Sequence, residues 1–148
     1  MRCSRNWISI SVYPSGDPMS GEAILIVDDN AINLKVLRIA LTVAGYDVRT
    51  AIDAEQATSV LAAFCPRMIL MDVQLPGMDG LELTRRIKAD PSTGDTIVVA
   101  VTAYAMKGDE ERALAAGCDG YLTKPIDTCT LPAILARYFE HSGGKPCP

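Results

Sequence analysis

Short apolar runs recur along the chain, and most of them end in a polar group. Ala23 to Val27 runs into Asp28-Asp29, Met68 to Met71 into Asp72, and Ile97 to Val101 into Thr102. Gly120 to Leu122 is followed by Thr123-Lys124-Pro125. Runs this short and this rich in Ile, Val and Leu predict buried strands. A more polar strand is predicted at about Asp47 to Thr50. Between the strands, apolar residues recur at helical spacing. Leu34, Leu37 and Leu41 predict a helix from about Asn30 to Ala44, stopped by Gly45. A second is predicted from about Asp53, its N-cap, to Phe64, with Pro66 beyond its end. A third runs from Asp79 or Gly80 to about Ala89, with Leu81, Leu83 and Ile87 inward. A fourth covers about Lys107 to Ala116. A fifth starts at Asp127 and turns Leu131, Ile134, Leu135 and Tyr138 inward.

Strand and helix alternate five times with short connections. This predicts an α/β fold, a doubly wound five-stranded parallel sheet with five helices, flavodoxin-like, its right-handed crossovers placing helices on both faces. The predicted domain is 21–141. Residues 1–20 read as an extension, expected to be disordered, although Ile8, Ile10 and Val12 alternate with serines as an added edge strand would. The domain is expected to fold without residues 1–18. The Gly/Pro-rich stretch 142–148 reads as a flexible tail.

Composition acts mainly by exclusion. A chain of 148 residues supports one compact core. A net charge of −4 leaves no electrostatic footprint for nucleic acid. No apolar run approaches the roughly 20 residues that span a bilayer, so no membrane insertion is expected. Cys3, Cys65, Cys118, Cys129 and Cys147 are scattered, form no C-x-x-C pair, and accompany a single histidine, His141. Reduced thiols in a cytoplasmic protein are expected, and no zinc site. The absence of any G-x-x-x-x-G-K argues against an NTPase.

The strand ends carry the chemistry. In an open parallel sheet the carboxyl ends share one rim, where ligands bind. In the order 2-1-3-4-5, strands one and three are neighbours, which would crowd Asp28, Asp29 and Asp72. Like charges that close repel and drive protons on. A divalent cation relieves this, and oxygen-only ligands with room for water suit Mg2+. Asp29 and Asp72 would be direct ligands, Asp28 would act through water, and the Gln74 main-chain carbonyl could complete the shell. Lys124 would meet a phosphoryl oxygen as a point charge, with Thr102 and the N–H groups after Asp72 taking the others. An aspartate can itself accept phosphorus as an acyl phosphate. Taken singly, each residue has an ordinary explanation: an Asp after a strand caps a helix, and a Lys before Pro is a solvated charge. The joint placement at four strand ends argues otherwise.

Val27-Asp28-Asp29-Asn30, Met71 to Gly80, Val101-Thr102-Ala103 and Tyr121-Leu122-Thr123-Lys124-Pro125 together resemble the receiver domain of two-component response regulators, over about Ala23 to Phe139. The 2-1-3-4-5 order is a known property of that family. The resemblance implies that Asp72 is the phosphoacceptor. Asp28, Asp29 and Gln74 would organise Mg2+, for which Mn2+ can substitute. Thr102 and Lys124 would contact the phosphoryl group. Thr102 and Tyr121 would form the switch, and Lys124-Pro125 would be cis. The first helix, with Asn33, Leu34 and Leu37, would be the docking face for a sensor histidine kinase or histidine phosphotransferase, although Leu34 and Leu37 serve equally well as core. Asn30 to Asn33 and Ala105 to Glu110 further resemble stand-alone cell-cycle regulators and hybrid-kinase receivers. Gln74 and Tyr104 occupy positions that tune phosphate lifetime in the family, and a bulky Tyr104 implies slow self-hydrolysis.

The implied function is a phosphoacceptor, not an enzyme acting on other molecules, that assists its own phosphorylation and dephosphorylation and switches a downstream protein target. One rival is a receiver-like interaction module that is never phosphorylated. A weaker one is an aspartate-nucleophile phosphatase, which needs an acid two residues after the nucleophile, where this chain has Gln74.

Overall fold

The computed structural model describes residues 22–103, 108–124 and 126–142. The expected N-terminal extension, Tyr104, the Lys124-Pro125 peptide and the 143–148 part of the tail lie outside them.

Among the described residues, five strands, β1 (Ala23–Val27), β2 (Asp47–Ala51), β3 (Met68–Asp72), β4 (Ile97–Thr102) and β5 (Gly120–Thr123), alternate with five helices. These are α1 (Ala31–Val43), α2 (Ala54–Ala63), α3 (Gly80–Ala89), α4 (Asp109–Ala115) and α5 (Leu131–Ser142). All strand pairs are parallel, in the order β2-β1-β3-β4-β5. The doubly wound sheet expected from the sequence is therefore present.

Strand position explains strand composition. β3 and β4 are covered on both faces and are buried throughout, so no polar alternation appears in them. β2 is an edge strand, and Asp47-Val48-Arg49-Thr50 alternates between exposed and half-buried. Side chains of opposite parity serve two cores. Ile24, Ile26, Met68, Leu70, Val99 and Val101 pack with Leu34, Leu37 and Leu41 of α1 and with Leu131, Leu135 and Phe139 of α5. Leu25, Val27, Ile69, Met71, Val98 and Ala100 pack on the other face with residues of α2, α3 and α4, among them Ala57, Leu81, Ile87 and Ala113.

Two sequence expectations need correction. Helix α5 begins at Leu131, not at Asp127. Asp127 instead closes a turn, its Oδ1 accepting the Cys129 N–H at 2.9 Å and its carbonyl the Leu131 N–H at 3.0 Å. Pro132 explains the delay, because a residue without an N–H belongs in a helix's first turn. The thiols also differ from expectation. Cys118 is free and buried, but Cys65 and Cys129 each take part in a disulfide. Scattered cysteines odd in number give no local signal of such pairing. Among the described residues, no helix is long and apolar enough to cross a membrane.

Candidate functional site

Three strands deliver the acids and hydroxyl to one rim. Asp72 is the last residue of β3, Asp28 and Asp29 follow β1 directly, and Thr102 ends β4. β1 and β4 flank β3, so chain positions more than forty residues apart become neighbours. One carboxylate oxygen from each of Asp28, Asp29 and Asp72 lies within 4.8 Å of the others. Asp28 and Asp72 are only 2% and 5% exposed, whereas Asp29 is exposed and leaves the cluster open to solvent.

Lys124 reaches this cluster from beyond β5. Its Nζ lies 3.0 Å from Asp28 Oδ2 and 3.3 Å from Asp72 Oδ2. Its main-chain N–H donates to the Thr102 carbonyl at 2.8 Å, which ties the ends of β4 and β5 together. The Gln74 N–H donates to Asp72 Oδ1 at 3.0 Å. Thr102 is buried, and the register sets Val101 beside Asp72 and Thr123 beside Thr102. Tyr121 is half-buried and packs against the core that contains α3 and α4.

The electrostatics show a deficit of positive charge. Burial pushes the Asp72 carboxyl up to about 6, and the Asp28 charge adds to this; the Gln74 N–H and the Lys124 ammonium pull it back only in part. Burial works against the Lys124 charge, but the hydrogen bond to Asp28 and the charges of Asp72 and Asp28 outweigh it and raise its pKa. Lys124 is therefore a fixed cation at neutral pH. Three carboxylates with one ammonium remain net negative. An all-oxygen donor set of this kind, open to water on one side, fits a hard divalent cation.

Gly80 matters here, although its role was not legible in the sequence. Its N–H donates to the Val73 carbonyl at 2.9 Å. A Cβ on Gly80 would fall well inside contact distance of the Asp72 carbonyl oxygen. The bare backbone lets the start of α3 press against the main chain that carries Asp72. The available signal was a glycine directly after the N-cap Asp79, whose Oδ1 accepts the Leu81 N–H at 2.8 Å.

The docking expectation changes. Leu34 and Leu37 are buried in the core and have no surface to offer a partner. The opposite face of α1 exposes Ile32, at 73%, together with Val36, Ile39 and Val43. Spacings of four, three and four residues place these on one stripe. Asn33 sits beside it, partly buried.

Comparison with known proteins agrees with this geometry. The model of the response regulator receiver domain matches residues 24–136. The polar-differentiation response regulator DivK of Brucella anthropi is 41% identical over 105 residues, which is 71% of this chain and 85% of that protein. A CheY-like receiver domain protein from Methanospirillum hungatei superposes with a TM-score of 0.77 at 27% identity, covering 84% of this chain and 98% of that one. The receiver domain of a sensor histidine kinase from Pseudomonas aeruginosa, solved with a magnesium ion coordinated in the active site cleft, gives 0.74 at 37% identity, covering 82% and 99%. The chain belongs to the response regulator receiver domain family. It is thus a signalling domain of the two-component type.

Proposed function

We propose that this domain accepts a phosphoryl group onto Asp72 from the phosphohistidine of a sensor histidine kinase or histidine phosphotransferase, with Mg2+ held at the acidic rim. The observation that carries the reading is the buried Asp72 carboxylate, with Asp28, Asp29 and Lys124 gathered around it. At neutral pH a carboxyl with a pKa of about 6 is mostly ionised, so it can act as a nucleophile. One Asp72 oxygen attacks phosphorus. The P–N bond of the donor imidazole breaks, and its electron pair goes to nitrogen.

Asp29, Asp72 and the Gln74 carbonyl would hold Mg2+, or Mn2+ in its place, with Asp28 acting through water. The bound ion supplies neutralisation of the phosphoryl oxygens and relief of carboxylate repulsion. Lys124 binds a further phosphoryl oxygen. The Gln74 N–H keeps Asp72 oriented, and the Thr102 hydroxyl takes another oxygen, which pulls the end of β4. Tyr121, on the neighbouring strand, follows that movement. The exposed α1 stripe beginning at Ile32, with Asn33 beside it, receives the phosphodonor. The downstream protein target binds at β5 and α5, where Tyr121, Leu122, Thr123, Ile126, Asp127 and Ile134 line a groove of about 210 Å3. The expected compartment is the cytoplasm, where such donors act.

The test is acetyl phosphate with Mg2+, followed by intact-protein mass spectrometry. Wild type gains one phosphoryl group, and Asp72→Asn gains none. An unmodified wild type would favour the interaction module, and rapid turnover of small phosphoesters would favour the phosphatase.

A further inference from the structure

Helix α1 starts with an arrangement that reverses a familiar one. In a capping box, the third helical residue accepts a hydrogen bond from the N-cap N–H. Here Asn30 is the N-cap, and its side chain accepts from Ile32 N–H at 2.9 Å and Asn33 N–H at 3.1 Å. The Asn30 N–H itself goes to Asp28 Oδ1 at 2.8 Å. Asn33, the third helical residue, does not reach back to the cap. Its Nδ2 donates to Asp28 Oδ2 at 3.5 Å, on the same oxygen that Lys124 meets at 3.0 Å. The spacing Asp28-x-Asn30-x-x-Asn33 makes a carboxylate the hub of a helix start. A Glu or Gln would be usual at the last position, and Glu there would set a second anion against Asp28.

We infer that Asn33 is a positioning residue for the divalent-cation site, fixing the Asp28 carboxylate through its side-chain amide. This rests on the reading above that the acidic rim holds such an ion. The backbone at Asn33 is set by the Asn30 cap, so its amide approaches Asp28 from a defined direction. A hydrogen bond to an ionised acceptor is stronger than one between neutral groups. With Asn30 on one oxygen and Asn33 and Lys124 on the other, both Asp28 oxygens are engaged and the carboxylate plane is fixed. Ligand orientation by such outer contacts is worth about 10- to 100-fold in metal affinity at other sites. The long bond, and the water through which Asp28 acts, place Asn33 at the low end of that range.

The experiment uses the full chain. Mg2+ affinity is measured by calorimetry for wild type, Asn33→Ala and the near-isosteric Asn33→Leu, alongside melting temperatures in EDTA. Both variants should bind Mg2+ about tenfold more weakly, as loss of an outer-shell contact predicts. Acetyl phosphate, which has no surface to dock, should modify them slowly at limiting Mg2+ and at the wild-type rate at saturating Mg2+. Unchanged Mg2+ affinity with a lowered melting temperature would reduce Asn33 to a helix-start residue and overturn the inference, leaving the cation reading intact. Unchanged affinity with slower transfer only from a phosphohistidine protein would make it a docking residue and also overturn it. Failure of wild type itself to bind Mg2+ would overturn both.

Discussion

The two rims of the sheet handle charge in opposite ways. At the amino ends of the strands, Arg67 and Lys88 each meet an acidic partner. Arg67 pairs with Glu22 and lies over the Phe139 ring. Lys88 donates to the Thr96 carbonyl at 2.7 Å and to Asp119 Oδ2 at 2.8 Å, and the same Asp119 oxygen accepts the Val98 N–H at 2.9 Å. At the carboxyl ends, Asp28 and Asp72 share Lys124, and Asp29 adds a third carboxylate within 4.8 Å of theirs. One rim spends its charges on cohesion. The other keeps an imbalance that only a ligand can settle, at a cost in stability while the ligand is absent.

The two rims should therefore respond to charge removal with opposite signs. The largest effect is expected for Asp72→Asn in EDTA. The folded carboxyl value of about 6 lies above the ordinary 3.8, so the folded state keeps its proton longer than the unfolded one. Stability then falls as pH rises from 3.8 to about 6, by as much as roughly 3 kcal/mol. The amide variant escapes this loss, so it should be the more stable protein at pH 8 and lose its advantage near pH 4 in urea titrations. An Asp72→Asn variant less stable than wild type at pH 8 would break the comparison.

At the other rim, Arg67→Met leaves Glu22 partly buried without its partner. Urea unfolding should show a loss of about 2 kcal/mol, below the full cost of breaking a buried pair because both groups keep some solvent. Next in size is the ion itself. Mg2+ at ten times its Kd should stabilise wild type by about 1.4 kcal/mol, visible as a rise in Tm, and should do far less for Asp72→Asn. The smallest change is expected away from both rims. Arg86→Ala, which removes the exposed pair with Glu82 at 3.5 Å, should stay within about 0.5 kcal/mol.

The sequence made the carboxyl rim legible and the amino rim nearly invisible, for a physical reason. Asp28, Asp72 and Thr102 stand where apolar runs stop, so local pattern plus the parallel-sheet rule brings them together. Glu22, Arg67, Lys88 and Asp119 meet through long side chains that cross between elements, and no periodicity records that. The stacking of Tyr46 on Phe139, with ring centroids 5.9 Å apart, escaped for the same reason. Asp127 lies where helical spacing alone would start α5, but Pro132 sets the start at Leu131. Leu34 and Leu37 show the limit of a resemblance: a helix can be the docking element while its leucines face the core.

The Asp119 staple has a mechanical consequence. It fastens the chain just after α4 to Lys88 at the end of α3 and to the Val98 N–H in β4. The other end of α4 begins at Gly108, in a left-handed conformation (φ 95°) and with no side-chain cap. Attachment along α4 is therefore uneven: its carboxyl end is stapled to β4, and its amino end, on the Thr102 side of the sheet, starts without a side-chain cap.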